Sequence, residues 1–286
     1  NSLPLILSQH AFSVSRFLNC VLSLHLIKSK QYLAFYNFDI ERCWDKTPFD
    51  SISQKGRHMK LAVISDLHGN YYALAKVLAF LRSQEIDGII GLGDFVTDGP
   101  FPQRMMRVLR EMQEEFPCYL VRGNREEYLL ENLRHPQNWK AGSSTSGLLD
   151  YTFRNLTGQD LEFFEQLPTD GVLIGKMHES GRLIPVFVPQ EEIIPDTCRE
   201  SLFPALRLCH GAPGELRGNF GLHPELLLSH LENLDAAILL GGHSHKQEQR
   251  EYAGKTYLNP GSLGLALDGV GGHAHFAILT LENSKS

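Results

Sequence analysis

Five short apolar runs of the chain each end in side chains that can bind a metal ion. In chain order these side chains are Asp66 and His68, Asp94, Asn124, His210, and His243 and His245. Carboxylates, imidazoles and amides are common ligands of divalent cations in proteins. The set is too large for one tetrahedral zinc site, and it suits two metal ions that share a bridging carboxylate.

The apolar runs read as buried strands, and helical patterns lie between them. Strands are predicted over 59–65, 87–93, 118–122, 206–209 and 236–240, and helices over 71–80 and 103–116. The first three strands and their helices imply parallel pairing with right-handed crossovers. Ligands of open α/β sheets bind outside the carboxyl ends of the strands. We therefore expect the candidate ligands to meet at one rim of the fold.

The later part of the chain predicts strands in a different arrangement. Residues 171–189 alternate apolar residues with turns, and further short strands surround 250–252, 255–257 and 275–281. Parallel units early and hairpin-like strands late predict an α/β fold with two mixed β-sheets packed face to face. With helices on the outside, this is a four-layer α/β/β/α sandwich. The acidic segment 190–204 is predicted to be a surface excursion.

The composition argues against two classes of partner. Of 286 residues, 42% are hydrophobic and 21% charged, and the net charge is −6. General nucleic-acid or membrane-surface binders usually carry a basic excess, so we expect neither partner. A small phosphorylated substrate is compatible, because bound metal ions can invert the charge of a site. Five scattered cysteines without a C-x-x-C spacing indicate reduced thiols and therefore a cytoplasmic protein.

The chain is predicted to divide at Met59. Residues 1–58 look unlike the rest, and Met59 stands immediately before the first convincing strand. We interpret 1–58 as an N-terminal extension outside the functional core and 59–286 as the functional domain. The apolar stretch 17–27 is too short to span a bilayer. The alternative is that 1–58 form a helical appendage packed on the core.

The ordered blocks D-x-H, G-D, G-N, H and G-H-x-H resemble those of the calcineurin-like metallophosphoesterase superfamily. The resemblance runs from 59 to about 281. Asp98-Gly99-Pro100 and Asn259-Pro260-Gly261-Ser262 are also similar to the small bacterial phosphodiesterase branch. The resemblance implies a first metal held by Asp66, His68 and His245, a second held by Asn124, His210 and His243, and Asp94 bridging them. The ions implied are two divalent metals such as Mn, Fe, Zn or Ni.

One position departs from the family pattern. Arg125 stands where the family usually has a histidine that protonates the leaving oxygen or stabilises the transition state. Arginine stays protonated and cannot act as a general acid near neutral pH, although it can neutralise phosphate charge. We therefore assign Arg125 a catalytic role and favour phosphodiesters with good leaving groups. The alternative is that Arg125 only pairs with Glu126 or Glu127 at the surface.

The resemblance implies a dinuclear metal-dependent phosphoesterase. It would hydrolyse phosphodiester bonds of a small or nucleotide-like substrate through a hydroxide that bridges the metals and attacks phosphorus. One alternative is a phosphomonoesterase or serine/threonine protein phosphatase of the same fold. Another is a binding scaffold that kept the fold and lost catalysis. The long stretch 171–203 is a second departure, and it reads either as a flap or as a neutral surface insertion.

Overall fold

The computed structural model describes residues 20–28, 31–39, 58–136, 144–181, 183–267 and 273–282. At 20–28, 31–39, 144–146 and 282 it describes the backbone alone. Within these residues the elements are, in chain order, β1 (Cys20–Lys28), β2 (Gln31–Asp39), β3 (His58–Ile64), α1 (Tyr71–Leu81), β4 (Gly88–Gly91), α2 (Pro102–Glu115), β5 (Cys118–Leu120), α3 (Asn124–Arg134), α4 (Ser144–Arg154), α5 (Gly158–Gln166), β6 (Asp170–Met177), β7 (Leu183–Pro189), β8 (Leu206–Cys209), α6 (Pro224–Glu232), β9 (Ile238–Leu240), β10 (Gln247–Tyr252), β11 (Lys255–Pro260) and β12 (His273–Glu282).

The strands form two mixed sheets. The first has the order β1-β2-β12-β3-β4-β5, and in it β3, β4 and β5 are parallel. The second has the order β10-β11-β9-β8-β6-β7, and in it β8, β9 and β11 are parallel. The remaining pairs are antiparallel. The predicted parallel pairing of the first three strands after Met59 is therefore confirmed.

The two sheets pack face to face through a buried apolar layer. Met59, Leu61 and Val63 of β3 point into this layer, while the alternate residues Ala62 and Ile64 belong to the cluster on the outer face. Side chains of the second sheet meet them from Leu173, Leu206, Leu208, Ile238, Leu240 and Leu258. The period of two along β3 places one apolar face on each side of the strand. Burial of each such side chain stabilises the fold by about 1.5–3 kcal/mol.

Helices cover the outer face of each sheet. Leu74 and Val77 of α1 and Leu109 of α2 pack on the first sheet in one cluster with Ile64. On the second sheet, Leu227 and Leu231 of α6 pack against Leu239 of β9 and Tyr257 of β11. The layers are therefore helix, sheet, sheet and helix, and the predicted α/β/β/α sandwich is confirmed.

Two helices begin earlier than the sequence pattern predicts, which is over 126–133 for α3 and over 148–153 for α4. Helix α3 begins at Asn124, so this residue lies in the first turn of a helix rather than in a loop. Helix α4 begins at Ser144, inside a segment that its glycines and serines predict to be a loop.

The long stretch 171–203 is anchored to the second sheet. β6 and β7 form the hairpin at its edge, and Pro185 and Pro189 lie on the edge strand, where proline blocks pairing with another chain. In the following excursion Phe203 is fully buried, and the Ser201 hydroxyl accepts a hydrogen bond from the Gly175 N–H at 2.8 Å. The segment is thus packed on the fold, although most of 190–200 lies at the surface.

The described backbone before Met59 is extended. β1 pairs with β2, and β2 pairs antiparallel with β12 over nine residue pairs, from Asp39 opposite His273 to Gln31 opposite Leu281. These residues form strands rather than a helical appendage. The division of function at Met59 stays a prediction.

Candidate metal centre

The loops that follow the parallel strands hold strained backbone. Asp66, His68, Asp94, His243 and His245 all have φ between 44° and 63°, in the left-handed region that residues other than glycine rarely adopt. Such strain costs on the order of 1–3 kcal/mol per residue and concentrates at functional sites. Five of the seven candidate ligands therefore sit on sharp turns that aim them away from the ends of their strands.

The first group of candidate ligands lies between the two sheets. Asp66 and His68 follow β3, and His245 follows β9. The Nε2 atoms of His68 and His245 are 3.1 Å apart, and they lie 3.8 Å and 3.3 Å from Asp66 Oδ1. Asp66 is completely buried, and His68 is almost completely so. These three residues can hold one metal ion among one carboxylate oxygen and two imidazole nitrogens.

A second group lies beside it. Asp94 follows β4, His210 follows β8, and His243 follows β9; ligand atoms of the three lie within 4.8 Å of one another. Asn124 joins this group, because its Oδ1 is 3.0 Å from His210 Nε2. All seven predicted ligands are therefore brought together at the carboxyl ends of strands from both sheets.

Asp94 stands between the two groups. Its Oδ2 lies 3.8 Å from Nε2 of His68 in the first group and 3.4 Å from Nε2 of His210 in the second. Its Oδ1 accepts a hydrogen bond from the backbone N–H of Arg125 at 2.8 Å. One oxygen of Asp94 is therefore held by the protein while the other faces both groups.

Two glycines of the motifs are required by close approach. A Cβ on Gly123 would overlap the Asp94 carboxylate, and a Cβ on Gly242 would overlap Ser65 and crowd the Asp66 carboxylate at 2.8 Å. The glycines before Asn124 and His243 thus leave room for the two carboxylates. This close packing explains why each of those candidate ligands follows a glycine in the sequence.

Three histidines are oriented through their second ring nitrogen. Nδ1 of His68 lies 2.7 Å from Asp98 Oδ2, Nδ1 of His210 lies 2.7 Å from the Leu92 carbonyl, and Nδ1 of His245 lies 3.0 Å from the Leu265 carbonyl. Acceptors at these positions favour a proton on Nδ1 and leave Nε2 as the ligand atom, the usual arrangement around bound metals.

The donor set fits divalent metal ions. Asp66 Oδ1 is buried and receives no hydrogen bond from the described residues, and a buried acceptor without a partner is costly. Burial lowers the pKa of His68 and His210, but neighbouring carboxylates outweigh this effect and raise the two pKa values to about 9 and about 10. The imidazoles therefore attract protons into a position that a metal cation would take.

Glu126 is a residue of the site that the sequence analysis missed. Its buried carboxylate accepts hydrogen bonds from the backbone N–H groups of Asp94 and Phe95, both at 2.8 Å, and of Gly123 at 2.9 Å. Burial and the nearby Asp94 raise its pKa. Glu126 thereby ties the loop after β4 to the start of α3. Its position three residues after Gly123 matches a capping-box spacing, which could have identified it.

Arg125 points toward the first group rather than toward Glu126 or Glu127. Its guanidinium lies 3.6 Å from Asp98 Oδ2, the atom that also contacts His68 Nδ1. Glu126 is occupied by backbone N–H groups, and Glu127 pairs with Arg122 and Arg134. The geometry therefore differs from the surface pairing that was the alternative for Arg125, and it brings this cation to the rim of the site.

Comparison with known proteins identifies the family. The family model of the calcineurin-like phosphoesterases matches residues 59–247. The chain belongs to this family. Within the described part of this phosphoesterase, no helix is long and apolar enough to cross a membrane. Phosphoesterase chemistry and a requirement for divalent metal ions follow from the family, and the two groups of candidate ligands agree with such a requirement.

One relative in sequence and two similar structures are distant from the phosphoesterase in sequence. An uncharacterized protein of Methanocaldococcus jannaschii, MJ0912, is 28% identical over 212 residues, which cover 73% of this chain and 78% of that protein. Similar folds occur in hypothetical protein PH1004 of Pyrococcus horikoshii (TM-score 0.54, 15% identity, 72% of this chain and 78% of that one) and in a metallophosphoesterase of Sphaerobacter thermophilus (TM-score 0.50, 20% identity, 79% and 87%). At these identities the two structures support the fold alone.

Proposed function

We propose that this protein is a dinuclear metal-dependent phosphoesterase that prefers phosphodiesters. The position of Asp94 Oδ2, within 3.8 Å of one histidine from each group, carries the proposal. In it, Asp66, His68 and His245 hold the first ion, and Asn124, His210 and His243 hold the second, with Asp94 between them. Two divalent ions bound there would act as Lewis acids and supply an activated water as the nucleophile.

The preference for diesters rests on Arg125. A guanidinium stabilises negative charge on phosphoryl oxygens, but near neutral pH arginine offers no proton to a leaving oxygen. General acid catalysis is typically worth about 10²–10⁴-fold. Without that help the rate should depend steeply on the pKa of the leaving group. Aryl phosphodiesters should therefore react much faster than alkyl ones.

Matched aryl esters test the preference. Metal-loaded protein should hydrolyse bis(p-nitrophenyl) phosphate faster than p-nitrophenyl phosphate, and the rate should fall steeply for diesters with poorer leaving groups.

Variants of Arg125 test its role in this preference. Arg125→His should supply an acid, flatten the dependence of the rate on the leaving group and add a basic limb to the pH–rate profile. Arg125→Ala should slow every substrate. Arg199→Ala, an exposed arginine that pairs with Asp196, is the control. Unchanged rates and leaving-group dependence in both Arg125 variants would contradict the role of this residue.

Metal content distinguishes this enzyme from a binding scaffold of the same fold. After incubation with Mn²⁺, Fe²⁺, Zn²⁺ or Ni²⁺, two ions per chain are expected by elemental analysis. Asp94→Asn should reduce both, because one carboxylate serves both groups, whereas His210→Ala should mainly weaken the second. Asp150→Asn, which changes only an exposed pair with Arg154, is the control. Two retained ions and full turnover in Asp94→Asn would show that Asp94 is not shared.

A reducing compartment such as the cytoplasm is also part of the proposal. The cysteines with described side chains, Cys118, Cys198 and Cys209, are all free thiols. Free thiols of this kind are typical of intracellular proteins.

A further inference from the structure

A cavity of about 460 Å³ lies beside the second group of candidate ligands. One wall is the start of α3, and the other is the loop that follows β8. Each wall continues from a candidate ligand, because α3 begins at Asn124 and the loop begins after His210. The volume is in the range of small-molecule sites in proteins. A substrate held at Asn124 and His210 would therefore have one of its substituents at the mouth of this cavity.

The wall formed by α3 presents one stripe of side chains. Asn124, Tyr128 and Glu131 all line the cavity. Their spacings of four and three residues place them on the same face of the helix, one above the other. Tyr128 thus lies about one turn, roughly 5.4 Å, further along the helix than the candidate ligand Asn124.

The opposite wall contributes a guanidinium that lies over the ring of this tyrosine. Arg217 Cζ lies 4.6 Å from the centre of the Tyr128 ring. The loop that carries Arg217 is held by reciprocal backbone hydrogen bonds between Ala212 and Glu215, both 2.8 Å long. Among the described residues Arg217 forms no ion pair, so the face of its exposed guanidinium turned away from Tyr128 can stack on a ligand.

The charges of the lining disfavour an anionic substituent, because the groups without an ion pair to a described residue are two carboxylates and one guanidinium. Arg122 pairs with Glu127 at 3.0 Å, and Asp170 pairs with Arg207 at 2.9 Å. Glu131 and Glu215 remain in the lining without an ion pair to a described residue. A second phosphate would meet these carboxylates, whereas a neutral group that donates hydrogen bonds would find acceptors. The aromatic ring of the lining, Tyr128, is covered by the charged Arg217, which would repel a cationic group there.

We propose that this cavity binds the nucleoside part of a phosphodiester substrate, with the base stacked on the Arg217 guanidinium that Tyr128 supports from the other side and an amino group of the base directed to Glu131 or Glu215. Bases stack on aromatic rings and guanidinium planes, and carboxylates accept hydrogen bonds from amino groups of bases. The proposal rests on the proposed phosphoesterase function, because it places the phosphate at Asn124 and His210. It narrows the substrate class to nucleotide-type diesters with an amino-bearing base.

Two p-nitrophenyl diesters test the cavity: the adenosine 5′-monophosphate ester and the methyl phosphate ester, which lacks the nucleoside. With metal-loaded protein, KM for the adenosine ester should be about 5- to 150-fold lower, since stacking of one base is worth about 1–3 kcal/mol. Arg217→Ala should raise KM for the adenosine ester about tenfold more than KM for the methyl ester. Arg217→Lys should behave similarly, because it keeps the charge and loses the plane. Tyr128→Phe should retain the low KM, because it keeps the ring.

Binding of free adenosine separates failure of the cavity from failure of the phosphoesterase assignment. Adenosine should bind the metal-loaded protein in calorimetry, ribose and choline should not, and Arg199→Ala should bind like the unsubstituted protein. Equal KM values for the two esters with no adenosine binding would overturn the cavity and leave the phosphoesterase standing. Adenosine binding that depends on Arg217, with neither ester hydrolysed, would support the cavity as a nucleoside site and overturn the phosphoesterase assignment. Binding of choline but not adenosine would replace the nucleoside with a cationic alcohol.

Discussion

Asp66 and Asp94 make the metal-free site a proton-binding site. Despite their burial, neighbouring imidazoles hold the pKa values of both carboxyl groups below the ordinary range. Burial lowers the pKa of His68 and His210, but the carboxylates raise the two values to about 9 and about 10. Without metal, both imidazoles are therefore charged at neutral pH. A metal ion must displace these protons to reach the nitrogen atoms.

Metal affinity should therefore rise with pH. Each displaced proton contributes about tenfold per pH unit, up to the raised pKa values. Titration calorimetry with Mn²⁺ between about pH 6.5 and about 8.5 should show this rise, with protons released into the buffer. In the metal-free protein the free energy of unfolding depends on pH in the opposite direction. The free energy of unfolding contains a contribution that is complete below about pH 6.5 and is lost as pH rises through the two raised values.

His178→Ala is the matched control for this titration. His178 is exposed, and its ring forms hydrogen bonds with Ser180. Both residues are far in sequence from the candidate ligands, so loss of the His178 ring should leave the pH dependence of metal affinity unchanged. A metal affinity that is flat over the tested range would mean that the imidazoles are neutral before metal binds. In that case the carboxylates would not stabilise the charged rings in the way that their distances indicate.

At the scale of elements, the site depends on how closely loop and helix approach. Glu126 joins the loop after β4 to the start of α3, and Gly123 lets the Asp94 carboxylate lie against the turn before that helix. Both contacts involve backbone atoms, so the ligand positions depend on the spacing between elements as much as on the side chains. A single added methyl group in this space should disturb the site.

Gly123→Ala should displace Asp94 and reduce the binding of both metal ions. The new Cβ would overlap the carboxylate, so the loop must shift or the protein must lose about 1–3 kcal/mol of stability to overpacking. Gly147→Ala is the matched control, because Gly147 lies in α4 with open space around it and should gain up to about 1 kcal/mol in helix stability. Thermal unfolding and metal content measure both variants. Full metal content in Gly123→Ala would show that the loop adjusts without moving the ligand.

At the scale of the whole molecule, both sheets build the candidate metal centre. Each sheet contributes candidate ligands, and the buried layer between the sheets fixes their distance. β1 and β2 extend the first sheet on the far side of β12, away from the ligand-bearing ends of β3, β4 and β5. The N-terminal strands should therefore influence the stability of the sheet rather than the chemistry of the site.

A chain that starts at Met59 should keep metal binding and hydrolysis. Every candidate ligand follows Met59, and removal of β2 takes only a neighbouring strand from β12. Because β12 then becomes an exposed edge, lower stability and more self-association are expected. Elemental analysis, turnover of bis(p-nitrophenyl) phosphate and size-exclusion chromatography measure these effects. A folded protein from Met59 without metals or activity would place part of the function in 1–58.

The amino-acid sequence was sufficient to predict the layers of the fold and the candidate ligands. Alternating and helical apolar patterns indicate the elements directly, and parallel strands bring their carboxyl ends to one edge, so the sequence already groups Asp66, Asp94 and Asn124. The neighbours of these residues, in contrast, follow from tertiary packing. Glu126 beneath Asp94, Asp98 between His68 and Arg125, and Arg217 on Tyr128 are contacts between separate loops and helices. Local periodicity does not encode such contacts, because they depend on how turns and layers pack in space.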